Sequence, residues 1–141
     1  MKIIIDTNLW ISYLIGKQTY RLKELLTREG TTIFVCRELL DELMEVASRP
    51  KLKRYILQED ILQLLQVIEL YCLEVVLHKK AVSEIRDAKD LYLLSLADEV
   101  EADYLLTGDK DLLVLGRHGK TAIFTLSDFL TRLSGQRQDK A

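Results

Sequence analysis

Hydrophobic positions along the chain follow two rhythms. Short, nearly continuous apolar runs rich in β-branched residues occupy 3–5, 32–36, 73–77, 104–106 and 122–124, and each reads as a buried strand. Between them apolar residues recur at about every third or fourth position, the period of a helix with one face on a core. The spacing predicts a helix over 9–29, carried by Leu22, Leu25 and Leu26 and closed by Gly30. A second covers 37–47, with Leu39, Leu40, Leu43, Val46 and Ala47 in phase and the only proline, Pro50, marking its end. Further helices cover 59–71, then 90–101 with Leu91, Leu94 and Ala97 in phase, then 127–133 with Ser127 as N-cap. Residues 135–141 are polar and read as a frayed tail.

Alternating strands and helices, with strands apolar on both faces, predict a parallel sheet covered on both sides and joined by right-handed crossovers. The expected fold is a three-layer α/β/α domain on a parallel five-stranded sheet. The chain has 141 residues and shows no repeat or linker, so one domain over 1–134 is expected, followed by the tail 135–141. A chain this long buries roughly 68% of its unfolded surface, enough for a core without disulfide or zinc staples. Cys36 and Cys72 lie in apolar runs, without a partner at zinc-ligand spacing, and read as buried thiols of a reduced protein. The N-terminal apolar run is interrupted by Asp6, and no stretch of about 18 apolar residues occurs, so a cytoplasmic protein is expected.

The charge pattern changes the picture from fold to chemistry. The chain carries 22 acidic and 20 basic residues, a near balance that by itself names no partner. Ligands of open α/β sheets bind beyond the C-terminal ends of the strands, and there the acids recur. The first strand exits into Asp6-Thr7-Asn8, and the second leads into a helix bearing Glu38, Asp41, Glu42 and Glu45. The helix at 90 is entered through Asp87-Ala88-Lys89-Asp90, and the fourth strand exits into Thr107-Gly108-Asp109-Lys110-Asp111. Each group alone has a structural explanation as a cap or turn. Gathered on one edge, two carboxylates at about 4 Å repel by roughly 4 kcal/mol in an effective dielectric of 20, and a cation must offset that. Oxygen ligands with few neutral donors suit Mg²⁺. His78 and His118, beside Lys79 and Arg117, read as surface residues instead. Helix phase separates the acids on 37–47: with Leu43 central, Glu42 lies about 40° outside Val46, while Asp41 and Glu45 turn to solvent. Glu38, one turn earlier on the same flank, ranks behind Glu42.

The segments Ile-Ile-Ile-Asp-Thr-Asn-Leu-Trp-Ile-Ser, Glu-Leu-Leu-Asp-Glu-Leu-Met-Glu-Val-Ala, Arg-Asp-Ala-Lys-Asp-Leu-Tyr-Leu-Leu-Ser-Leu-Ala and Ala-Asp-Tyr-Leu-Leu-Thr-Gly-Asp-Lys-Asp-Leu-Leu stand in that order from Lys2 to about Phe129. Together they resemble the PIN-domain family, and more narrowly its bacterial and archaeal branch of toxin components of toxin-antitoxin pairs. The resemblance implies a Mg²⁺- or Mn²⁺-dependent endoribonuclease that cleaves single-stranded RNA with an activated water, leaving a 5′-phosphate and a 3′-hydroxyl. It implies Asp6, Glu42, Asp90 and Asp109 as catalytic acids, with Asp6, Asp90 and Asp109 on the metal and Glu42 on a second ion or on the water. Asp111 is a neighbour able to take or share the last place, and Asp87 a rim acid. Asn8, Ser12 and Thr107 match polar positions expected to orient carboxylates or waters.

Setting the four proposed ligands aside leaves 18 acids against 20 basic residues, and Arg49, Lys51, Lys53 and Arg54 follow the Glu42 helix as expected contacts for the RNA backbone. Trp10 and Tyr13 read as core or as stacking platforms for bases. The resemblance also implies a cognate antitoxin, reaching the acids with an Arg and gripping Leu9, Trp10, Tyr13, Leu14 and Tyr20, or a homodimer over the same surface. Two other readings compete. A binding-only domain would keep the fold and lose acids, yet none is missing; an aspartyl-phosphate phosphatase needs a second Asp two residues after Asp6, where Asn8 stands.

Overall fold

A computed structural model describes residues 1–16, 19–78 and 88–139. The elements run β1 (Lys2–Ile5), α1 (Thr7–Ile15), α2 (Thr19–Leu26), β2 (Thr32–Val35), α3 (Arg37–Ala47), a short 3₁₀ turn (Pro50–Leu52), α4 (Gln58–Tyr71) and β3 (Cys72–Glu74). Then follow α5 (Ala88–Val100), β4 (Tyr104–Leu106), α6 (Lys110–Leu115), β5 (Arg117–His118), β6 (Thr121–Phe124) and α7 (Leu126–Asp139). The sheet has the order β3-β2-β1-β4-β6-β5. All pairs are parallel except β5 with β6, which are antiparallel. The domain is therefore α/β with a mostly parallel sheet, but with six strands rather than the five expected. The additional strand is a two-residue hairpin arm turned at Gly119, whose φ of +57° suits glycine. Two residues are too few to leave a periodic signature.

Strand order explains where a site can form. The chain builds outward from β1 to β2 to β3, then returns to place β4 on the other side of β1. Right-handed crossovers put the helices made before and after this reversal on opposite faces, and the crevice opens at the C-terminal ends of β1 and β4. Those two strands are the driest part of the molecule: Ile3, Ile4, Ile5, Leu105 and Leu106 are completely buried. Leu39 and Leu43 of α3 and Leu93, Leu94, Leu96 and Ala97 of α5 join the same core.

Several boundaries differ from the periodicity for local reasons. The helix expected over 9–29 is two helices, because Gly16 takes a left-handed φ of 86° and donates its N–H to the carbonyls of Ser12 and Tyr13, closing α1. β3 ends at Glu74, short of 77, as its partner β2 ends at Val35. The cap of α7 is Thr125, whose Oγ1 accepts from the Asp128 N–H at 3.1 Å; Ser127 lies inside the first turn. That helix also runs past 133 through Gly135 to Asp139, into the stretch expected to fray. Cys36 and Cys72 are buried free thiols, and burial raises both to a pKa of about 12. Among the described residues, no helix is long and apolar enough to cross a membrane.

Candidate active site

Asp6 leaves β1 with its N–H bonded to the Leu106 carbonyl at 2.9 Å, so the exits of β1 and β4 are locked in register. Its main-chain carbonyl accepts from Leu9 and Trp10 and starts α1, while its carboxylate makes no capping bond of standard geometry. Thr107, fully buried at the end of β4, donates its hydroxyl to Asp6 Oδ2 at 2.6 Å and accepts the Asp109 N–H at 3.0 Å. One hydroxyl therefore ties the first acid to the loop carrying the last. Asp109 does cap: its Oδ1 accepts the Asp111 N–H at 2.8 Å and opens α6.

The first turn of α5 brings Asp90 to the same place from the opposite side of the reversal, and Asp90 is buried. Carboxylate oxygens of Asp90, Asp109 and Asp111 all lie within 4.8 Å of one another. From α3, Glu42 comes in half-buried while Asp41 and Glu45 face solvent, in line with helix phase. Glu38 is exposed as well. Asp6, Glu42, Asp90 and Asp109 line one cleft of about 150 Å³ with Asn8, Val46, Arg49 and Leu93.

Glu42 is held by two residues that sequence reasoning passed over. Thr7 Oγ1 donates to Glu42 Oε2 at 3.2 Å, the Tyr92 hydroxyl donates to the same oxygen, and the two hydroxyls are 3.1 Å apart. Both donors converge on one carboxylate oxygen. Burial, and then the adjacent Glu42, push the Tyr92 phenol far above its ordinary range, so it stays a proton donor. Thr7 had a visible signal in its place between Asp6 and Asn8. Tyr92 had none, because its reach from α5 to α3 is purely tertiary. Burial also raises the Asp6 carboxyl above its usual value, and Glu42 and Asp109 add to that, against the Thr107 hydroxyl and the Asn8 N–H, which favour the charge. The cleft is thus an acid cluster short of positive charge.

Other expected residues fall elsewhere. Ser12 donates to the Asn8 carbonyl within α1 at 3.1 Å and does not line the cleft. Of the basic run only Arg49 does, its guanidinium 3.5 Å from Glu45; Lys51, Lys53 and Arg54 are exposed, and Lys53 borders a separate groove beside Met44 and Leu62. Trp10 is completely buried, which removes it from any stacking platform or partner grip, while Leu9, Tyr13 and Leu14 are half-buried against the core. The side chain of Tyr20 and all of Asp87 lie outside the described residues. His78 is exposed beside Glu99; His118 is not a plain surface residue, being half-buried in β5 against Asp98 at 3.0 Å.

A mostly parallel sheet whose switch point gathers acids from four separate segments defines an α/β domain with an acidic cleft. Residues 2–111 match the PIN domain, and the chain belongs to the PIN-domain family, whose members are generally nucleases. Among solved structures the chain is similar to one titled "Crystal structure of VapBC2 from Rickettsia felis bound to a DNA fragment from their promoter". The TM-score is 0.59 with 18% identity, over 87% of this chain and 97% of that one. It is also similar to the T. brucei RRP44 PIN domain, with a TM-score of 0.54 and 14% identity over 97% of this chain and 83% of that one. At these identities the likeness is one of fold. No match was found among the curated proteins.

Proposed function

We propose that this protein is a Mg²⁺- or Mn²⁺-dependent endoribonuclease acting on single-stranded RNA, and the toxin of a toxin-antitoxin pair. The observation that carries this reading is the meeting of Asp6, Glu42, Asp90 and Asp109 in one cleft at the switch point. The donor set fits a hard divalent ion: carboxylate oxygens only, three of them from Asp90, Asp109 and Asp111 within a shared 4.8 Å, beside a buried Asp6 whose carboxyl is raised by burial and then by Glu42 and Asp109. When bound, such an ion supplies an activated water at neutral pH and a positive charge for the phosphate.

The chain's own residues do the rest. Asp90, Asp109 and Asp111 would hold the ion, and Asp6, oriented by the Thr107 hydroxyl, would face it from across the same cleft. Glu42, one oxygen fixed by Thr7 and Tyr92, has its other oxygen available and would orient the attacking water. Asn8 adds a neutral polar group to the rim, and Arg49 positions the phosphate from the α3 side. Lys51, Lys53 and Arg54 extend the basic surface beyond α3. The VapBC2 likeness supports an antitoxin partner, which would silence the cleft with an Arg paired to its carboxylates. A homodimer is the other assembly we propose, checked by its mass in solution.

The purified protein should cleave single-stranded RNA with Mg²⁺ or Mn²⁺, leaving 5′-phosphate ends, and lose this with EDTA or with Asp6→Asn in a folded variant. Undiminished cleavage by Asp6→Asn, or cleavage insensitive to EDTA, would overturn the reading. Co-expression with the product of the adjacent gene should yield a complex that inhibits cleavage; free, active protein in its presence would remove the antitoxin part.

A further inference from the structure

At the opposite edge of the sheet, where β4 and β6 begin, lies a second cavity of about 470 Å³, bordered by Asp103, Tyr104, Arg117, Lys120, Ala122 and Arg132 and by Met1, whose amine is held by the Gly30 carbonyl. Three cations face one acid there, and that acid is engaged: Asp103 Oδ2 accepts the Lys2 N–H at 2.8 Å. Among the described residues neither guanidinium has a carboxylate partner, whereas Arg37 and Arg49 each pair with an acid one turn away. Arg117 is oriented by its bond to the Lys120 carbonyl across the β5–β6 turn, at 3.1 Å. The Arg132 guanidinium lies over the Phe124 ring, 5.5 Å from its centre, and Phe124 stacks on Tyr104 at 5.8 Å. Lys120 has only an exposed contact to Glu101 at 3.7 Å. Oriented, unneutralised guanidiniums beside half-buried aromatic rings are what a single-stranded nucleic acid meets on its binding surfaces.

We propose that this cavity is a second contact site for the phosphate backbone of single-stranded RNA, separate from the acidic cleft. The inference rests on the ribonuclease reading and answers a difficulty in it. An acidic cleft repels a polyanion, so affinity for the strand must come from cations around it, and the three at this edge add to Arg49 and the basic run after α3. An acidic protein segment would also be drawn to the cations, but it would make no use of the Tyr104 ring that borders the cavity, and RNA is therefore favoured. The two edges are a strand length apart, about four residues at roughly 3.3 Å each, and the path over the covering helices is longer, so only an extended RNA reaches both while a dinucleotide fills the cleft alone.

The test compares Asp6→Asn with Asp6→Asn carrying Arg117→Gln and Arg132→Gln, using fluorescent poly(U) at several salt concentrations. The expected result is about tenfold weaker binding and a log–log salt dependence shallower by about 1.4, near 0.7 for each phosphate that is no longer neutralised. Because Arg117 also orders its turn, Arg132→Gln alone is measured at matched thermal stability and should show about half the change in slope. With Asp6 intact, the double Gln variant should cleave a dinucleotide at the wild-type rate and long RNA more slowly at low concentration. Unchanged poly(U) affinity and slope would overturn the proposal, as would loss of poly-glutamate binding with RNA binding intact. Wild-type protein that binds poly(U) through these arginines and cleaves nothing would sink the ribonuclease reading and leave this site standing.

Discussion

The two edges of the sheet handle charge in opposite ways. At the C-terminal edge two of the acids are buried: Asp6 and Asp90 are each 6% exposed, and Thr107 is wholly enclosed, while Glu42 and Asp109 are half-buried and Asp111 is exposed. At the N-terminal edge Arg117, Lys120 and Arg132 stand in solvent. Buried like charges cost free energy until a counter-charge arrives, so the acidic edge is a place where a cation would be stabilising. Exposed cations cost little and act over a Debye length of about 8 Å, which suits attraction of a polyanion without fixing its register. The acidic edge lies within the stretch that matches the PIN domain, residues 2–111, while all three cations lie beyond it. On the proposed reading the chemistry rests on the matched stretch, and capture is shared between the basic run after α3 inside it and the three cations beyond it.

The largest expected effect breaks this division at its acidic side. Asp90→Asn removes a buried carboxylate from the Asp90, Asp109 and Asp111 group while keeping its size. Cleavage should fall by about three orders of magnitude, the scale of several kcal/mol of transition-state stabilisation, and poly(U) binding should hold or tighten slightly. Cleavage within a few-fold of wild type would show that this group does not hold the reacting phosphate. Mn²⁺ binding followed by electron paramagnetic resonance should weaken in parallel, which separates loss of the ion from loss of fold.

A smaller effect sharpens the same side. Tyr92→Phe deletes a hydroxyl that donates to Glu42 and leaves the ring. A hydrogen bond to a charged group contributes about 1.5 to 3 kcal/mol, so kcat should drop roughly tenfold with KM little changed. In a Glu42→Gln background the same change should cost almost nothing, since the hydroxyl acts through the carboxylate. Additive losses in that double-mutant cycle would mean that Tyr92 serves the fold instead.

Much of this arrangement was legible in the chain. Strand exits picked out Asp6 and Asp109, helix phase picked Glu42 over Asp41 and Glu45, and near-continuous apolar runs gave the parallel sheet. What periodicity could not carry was of three kinds. Conformational switches at single residues broke the pattern, as at Gly16, where a left-handed φ ends a helix that the apolar spacing would continue. Elements of two or six residues, β5 and α6, were too short for a period. Interactions between distant segments were invisible, so Tyr92 was missed, and Trp10, an aromatic beside the site in sequence, turned out to be fully enclosed core.

The smallest expected effect measures the energetic contrast between the edges directly. Burial holds the Asp6 carboxyl above its ordinary pKa, so without metal the charged carboxylate is better solvated in the unfolded chain than in the fold. The sign follows: stability of the metal-free protein should rise as pH falls through the raised pKa, and the gain should level off below the unfolded value. Asp6→Asn removes the charge and keeps an oxygen for the Thr107 hydroxyl, so at neutral pH its Tm should exceed that of wild type by a few degrees, and the dependence on mild acid should flatten. Added Mg²⁺ should raise the wild-type Tm and have less effect on the variant. Arg132→Gln, at an exposed position, should leave Tm almost unchanged, within about 0.5 kcal/mol. A less stable Asp6→Asn protein at neutral pH would mean that the Thr107 bond and local geometry outweigh the buried charge, and the acidic edge would then not be a site strained in wait of an ion.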